Sequence, residues 1–146
     1  MIDNLGRLDA TVWGGILTHT AAARGVAGTV INGVCRDTDA LHEVAYPLFA
    51  LAAHMRTGKD RVQMEAVQQP VSLGEVRVEP GDLVAADRDG VVVVAADRAD
   101  EVLAAASEIE EVEQAIREAV IGGMPLVEAR RKFGYHTLQS RRDERG

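Results

Sequence analysis

Arg36 and Asp37 stand side by side just past a β-branched run, Thr29-Val30-Ile31. A guanidinium next to a carboxylate offers an anion clamp and a hard-metal ligand in one place. The run before them suits a buried strand. Polar groups beyond the carboxyl end of such a strand are where an α/β fold meets its ligands. Gly25, ahead of the strand, can take the left-handed conformation that closes a helix. Further upstream, Gly14-Gly15 open a helical pattern, at a cost of about 1 kcal/mol each relative to alanine. Two glycines there allow a close backbone approach, or leave N–H groups open to an anion.

Each of these residues also has a plainer reading. Arg36-Asp37 can be a surface ion pair, and Gly14-Gly15 a tight helix contact. His19, one turn past Gly15, either reaches the site or packs beside it. His42, His54 and His136 lack metal-ligand spacing. Cys35 reads as an inert buried thiol, and Trp13 as core or subunit interface. Asp82, Asp87 and Asp89 lack the spacing and the terminal Glu of a calcium loop and read as turn residues. Lys59 and Lys132 are the only lysines, and neither sits in a pattern that suggests a Schiff base.

The elements that must position these groups follow from periodicity and punctuation. Met1-Ile2 is a strand remnant before a polar loop, Asp3 to Asp9. Thr11 is expected to cap a helix running to Arg24, with Val12, Trp13, Ile16, Leu17, Thr20, Ala21 and Arg24 at helical spacing. Thr38 to Val44 is a short helix ended by Pro47, and Leu48 to Ala52 a second buried strand. Short strands then follow at Val62 to Val67, Val71 to Leu73, Val76 to Val78, Leu83 to Ala86 and Val91 to Ala95. Asp89-Gly90 between two apolar runs signals a hairpin. Asp97 to Glu118 reads as an amphipathic helix with Val102, Leu103, Ala106, Ile109, Val112, Ile116 and Ala119 on one face. Gly122-Gly123 breaks it, and Met124-Pro125 opens a further helix through Lys132.

The chain has 146 residues and a net charge of −7. That length predicts a single layered α/β domain over residues 1–139, with a helical extension over 97–139 and a charged, frayed tail over 140–146. The negative balance argues against a general nucleic-acid binder, which needs a basic face. Aromatic residues make up 3% of the chain, so the core must come from Val, Leu, Ile and Ala. One cysteine excludes a disulfide framework and suits a reducing cytoplasm. No apolar run approaches the ~20 residues that span a bilayer, and no signal-peptide pattern opens the chain.

The stretches Trp13-Gly-Gly-Ile-Leu-Thr18, Gly25-Val-Ala-Gly-Thr-Val-Ile-Asn-Gly33, Arg36-Asp37, Pro47-Leu-Phe-Ala50 and Pro80-Gly-Asp to Val94 come in an order and spacing that resemble the RraA-like family. The resemblance covers residues 2 to 95. That family includes 4-hydroxy-4-methyl-2-oxoglutarate / 4-carboxy-4-hydroxy-2-oxoadipate aldolases and non-catalytic regulators of ribonuclease E. Some members carry an older name as methyltransferases, but no glycine-rich nucleotide loop stands here in a βαβ context. The resemblance implies a swivelling β/β/α fold, a homotrimer or homohexamer, and a site between subunits. It also implies a chain shortened at its N-terminus, since members carry a further segment before the position of Ile2.

The resemblance assigns roles as well. Arg36 binds the 2-oxo acid, and Asp37 holds a divalent ion, Mg²⁺ or Mn²⁺; these two are the catalytic candidates. The backbone N–H groups of Gly14, Gly15, Ile16 and Leu17 receive the substrate carboxylate. The aldolase pattern has acidic residues at the places of Gly15 and Ala40, with Asp39 next door, so the carboxylate shell is thin. The regulators lack the Asp of the Arg-Asp pair, and Asp37 is present. The function implied is a metal-dependent lyase that cleaves 4-hydroxy-2-oxo acids to pyruvate, or decarboxylates oxaloacetate, with the metal and Arg36 stabilising the enolate. The alternative is a protein-binding regulator of ribonuclease E activity.

Overall fold

The β-branched residues after Gly28 form the strand on which the first half of the chain is built. The structure, a computed structural model, describes residues 1–138, so the tail expected over 140–146 lies outside the described residues. The chain divides into two compact units, one ending at Ala96 and the other starting at Asp97.

In the first unit, β1 (Ile2–Asp3), β2 (Thr11–Trp13), β3 (Thr29–Cys35) and β4 (Leu48–Ala53) form one parallel sheet. β3 is the central strand, with β4 paired along it from Thr29 to Cys35. β1 pairs with β3 at Ile31 and Asn32, and β2 pairs with it at Val34 and Cys35. Parallel neighbours need crossover connections, and helices supply two of them: α1 (Gly15–Ala23) between β2 and β3, and α2 (Asp39–Glu43) between β3 and β4. The core joins Trp13, Ala21, Ile31, Cys35 and Tyr46, with Ile2, Leu41, Val44 and Leu48 packed against them. It is aliphatic around one aromatic pair, Trp13 stacked on Tyr46 at 6.1 Å between ring centres.

Two antiparallel hairpins complete this unit. β5 (Val71–Leu73) pairs with β6 (Val76–Val78), and β7 (Leu83–Ala86) with β8 (Val91–Val94). The expected Asp89-Gly90 turn closes the second hairpin, with the Asp87 carboxylate accepting the N–H groups of Asp89 and Gly90. Asp82 likewise accepts from the Glu79 and Ala96 N–H groups. These aspartates are turn residues, as their spacing implied.

Two expectations fail. Thr11 does not cap a helix: Thr11–Trp13 is β2, and the helix starts at Gly15. Gly14 is extended, at φ −155° and ψ −176°, which interrupts the helical register. Thr11 is instead held in the sheet, its hydroxyl 3.0 Å from the Val34 carbonyl. Val62 to Val67 forms no strand; the chain between β4 and β5 is turns and loop, and Met64 and Val67 are exposed. A β-branched stretch becomes a strand only where a partner edge and a buried face are available.

The second unit is helical. A short 3₁₀ turn (Ala96–Arg98) spans its start, followed by α3 (Ala99–Ile121) and α4 (Leu126–Lys132), which starts directly after Pro125. Among its described residues, Ile116 and Ala129 are buried. Among the described residues, no helix is long and apolar enough to cross a membrane.

Candidate functional site

β2 and β3 end together, and the site forms where they do. The Arg36 N–H donates to the Trp13 carbonyl at 3.0 Å, placing the first residue after β3 beside the last residue of β2. Asp37 then turns the chain with φ +55°, a left-handed conformation that costs a non-glycine residue free energy. The turn swings its carboxylate back to the start of α1, where Oδ2 accepts the Gly15 N–H at 3.0 Å. The Arg36 guanidinium lies beside that oxygen, with Nε at 3.5 Å. Asp37 thereby caps a helix that has no side-chain cap and no acidic residue in its first turn, so the positive end of the helix dipole faces this carboxylate. Both side chains of the ion pair are about half exposed. In that setting the ion pair itself adds little stability, and the capping bond to Gly15 is what the left-handed turn gains.

The Asp37 and Arg36 side chains close in on Gly14. A Cβ there would stand 2.8 Å from Asp37 Oδ2 and 3.1 Å from Arg36 Nε. Gly15 has more room, and its place explains the thin carboxylate shell. A Cβ on it would lie 3.4 Å from the Cβ atoms of both Ala40 and Asp37. The two positions where the aldolase pattern has acids therefore adjoin each other and Asp37.

A cleft of about 320 Å³ opens here, lined by Gly14, Gly15, Ile16, Leu17 and Arg36. These are the residues expected to bind substrate, and the structure brings them together. Backbone N–H groups in a first helical turn have no intrahelical acceptor, so the α1 end of the cleft presents donors. The opposite wall was missed from sequence: it comes from the segment Thr57 to Val62 and includes Lys59. That segment lies tight on β2, with the Thr11 N–H donating to the Arg56 carbonyl at 3.0 Å. A Cβ on Gly58 would collide with the Thr11 carbonyl oxygen and the Val62 side chain. From sequence, residues 53–60 read only as a polar connection, and nothing local tells which strand it folds over.

The other candidates stay apart. His19 forms an exposed pair with Glu43 at 3.6 Å, bridging α1 and α2 away from the cleft. His54 accepts the Arg56 N–H, and His136 lies edge-on to Tyr135. Cys35 is buried, and burial raises its thiol above the ordinary 9.0, as an inert thiol requires. Trp13 is core, although its edge borders the cleft.

Among the described residues, no group of three or more His, Cys, Asp or Glu side chains is placed to hold a metal. Asp37 is a half-exposed carboxylate that touches Gly15 and Arg36 of the cleft without lining the cleft itself. That donor set fits a hard ion such as Mg²⁺, which keeps several waters and takes one or two carboxylates plus substrate oxygens. It does not fit an all-protein cage.

The family model described as RraA-like: Aldolase/RraA matches residues 1–93. Protein DlpA of Legionella pneumophila is 39% identical over 135 residues, 92% of this chain but 22% of that protein. A Burkholderia mallei protein, provisionally named a 4-hydroxy-4-methyl-2-oxoglutarate aldolase, is 40% identical over 93 residues, 64% of this chain and 56% of its own length. Among solved structures, an uncharacterized protein from Pseudomonas syringae superposes with a TM-score of 0.86 at 44% identity, over 88% of this chain and 65% of that one. The RNA-processing inhibitor RraA from Thermus thermophilis superposes with a TM-score of 0.56 at 36% identity, over 63% of this chain and 56% of that one. The chain thus spans less than two thirds of each of these proteins. The sheet, the glycine-led helix and the Arg36-Asp37 turn all lie inside the matched segment, and the chain belongs to the RraA-like family.

Proposed function

We propose that this protein is a divalent-metal-dependent lyase that releases pyruvate from 4-hydroxy-2-oxo acids, oxaloacetate decarboxylation being the simpler form of the same reaction. One observation carries the reading: the left-handed Asp37 turn brings its carboxylate against Gly15 and Arg36, two residues that line the cleft together with the start of α1. A 2-oxo acid fits those groups. Its carboxylate takes the N–H donors of Ile16 and Leu17 at the start of α1. Its 2-oxo oxygen lies toward Arg36, and Lys59 faces it with a second positive charge for a dicarboxylic substrate.

The bond that breaks is C3–C4. Its electron pair stays with the pyruvate half as an enolate, while the C4 hydroxyl gives its proton to solvent water and the C4 half departs as a carbonyl compound. In oxaloacetate the same bond breaks and carbon dioxide departs. The enolate then takes a proton at C3. Asp37 would hold a divalent ion, Mg²⁺ or Mn²⁺, which would supply positive charge where the enolate develops. Arg36 supplies a second, fixed positive charge at the enolate oxygen. Asp37 keeps its aim through the Gly15 N–H. The exposed apolar side chains of Ile16, Leu51 and Met55 support a homotrimer or homohexamer, and the single cysteine supports a reducing cytoplasm.

The test is pyruvate formation from oxaloacetate and from 4-hydroxy-4-methyl-2-oxoglutarate with Mg²⁺, measured above the rate of the ion alone and repeated with excess EDTA. Turnover that EDTA removes and Asp37→Ala abolishes is the expected result. A folded protein with no turnover on either substrate overturns the reading. The likeness to an RNA-processing inhibitor supports one other role, a protein-binding regulator of ribonuclease E. Capture of that ribonuclease by the folded but inactive protein would favour it.

A further inference from the structure

We propose that Thr18 and Trp13 are positioning residues for this site, because their hydrogen bonds fix the plane of the Gly14–Gly15 peptide and so aim the Gly15 N–H at Asp37. Thr18 is fully buried. Its hydroxyl accepts the Trp13 indole N–H at 2.9 Å and donates to the Gly14 carbonyl at 3.3 Å. The Thr18 backbone N–H donates to that same carbonyl at 3.1 Å. In a trans peptide the C=O of one residue and the N–H of the next point in opposite directions. Two donors gripping the Gly14 carbonyl therefore set the opposite direction of the Gly15 N–H, which points to Asp37 Oδ2 at 3.0 Å. The preceding peptide is fixed as well, since the Trp13 carbonyl accepts the Arg36 N–H.

The device answers a need created by the sequence. Gly14-Gly15 is the least constrained dipeptide a chain can place at a site, and a side chain on Gly14 would displace the Asp37 carboxylate and the Arg36 guanidinium. Rigidity must come from outside the dipeptide. The indole supplies it because the core holds it: the ring stacks on Tyr46 with planes 8° apart, and the Tyr46 hydroxyl is 2.7 Å from the Thr29 hydroxyl at the start of β3. The start of α1 is thereby referred to one buried aromatic pair, and the Trp13 carbonyl, accepting the Arg36 N–H, ties the end of β3 to the same residue.

The activity arm of the test rests on the lyase reading, and the exchange arm does not. Thr18→Val keeps the shape of the side chain and removes the hydroxyl, whereas Thr18→Ser keeps the hydroxyl. For protein labelled with ¹⁵N-glycine, Thr18→Val is expected to speed hydrogen exchange of the Gly15 amide roughly tenfold, with the Gly33 amide of β3 unchanged as a control and Thr18→Ser matching wild type. With oxaloacetate and Mg²⁺, kcat/KM should fall roughly tenfold in Thr18→Val and recover in Thr18→Ser. Wild-type exchange at Gly15 in folded Thr18→Val overturns the proposal, whatever the activity. Faster exchange at Gly15 in Thr18→Val alone upholds it even if wild type turns over no substrate, and then only the lyase reading falls. Should Thr18→Val not fold, Trp13→Phe keeps the ring on Tyr46, deletes the indole N–H and is judged by the same exchange criterion.

Discussion

Asp37 combines two properties that pull against each other, a left-handed backbone and a carboxylate spent on one N–H and one guanidinium. Asn tolerates the left-handed region and can still accept the Gly15 N–H, but it carries no charge. Asp37→Asn is therefore expected to leave stability within about 0.5 kcal/mol of wild type by urea unfolding while losing Mg²⁺-dependent pyruvate release. A large loss of stability would mean that the residue is structural. Cys35 gives a prediction of opposite kind. Burial raises its thiol above the ordinary 9.0, so the folded state holds its proton at pH values where the unfolded chain has released it. With fewer protons bound by the unfolded state, stability falls as pH rises past the unfolded value. Unfolding curves at pH 7.5 and 9.5 should show that loss in wild type, and Cys35→Ala, though less stable throughout, should lack it.

Among the elements, the segment Thr57 to Val62 is the one whose role was invisible before folding. It forms a wall of the cleft only because Gly58 lets it press onto β2. Gly58→Ala would drive a methyl group into the Thr11 carbonyl and Val62, an overpacking that costs about 1–3 kcal/mol. The segment must lift, and Lys59 with it. Thermal unfolding should register the cost, and KM for a dicarboxylic substrate should rise more than kcat falls. An unchanged KM would remove this segment from the binding wall. β2 carries a related lesson. Trp13, Ile16, Leu17 and Thr20 share helical spacing, yet Thr11–Trp13 is strand, because pairing with Val34 and Cys35 and burial of Trp13 outweigh local periodicity.

For the molecule as a whole, the first unit leaves Leu51, Met55 and Ile16 in contact with solvent, Ile16 at 85% exposure. We propose that these side chains take part in association between copies of the chain. Sedimentation velocity is expected to give a trimer or a hexamer. A monomer that turns over oxaloacetate would place the complete site within one chain.

Much of this was legible in the residues. The strand from Thr29, the Arg36-Asp37 pair at its end, the glycines before α1, the Asp89-Gly90 hairpin and the C-terminal helices all follow from local chemistry: β-branched runs, conformational freedom at glycine, turn preferences and periodicity. The expected site residues proved to be neighbours because a parallel sheet carries the ends of its strands to one edge. Other features depend on contacts between segments far apart in the chain. Thr11 joins a strand because β3 offers an edge, while Val62 to Val67 forms none. Lys59 reaches the cleft because Gly58 admits a strand's carbonyl. Thr18 aims a peptide because an indole from the core meets its hydroxyl. Local chemistry sets which groups are available and how each short segment bends; which of them meet is decided by packing, since a hydrogen bond or a close contact depends on both partners at once.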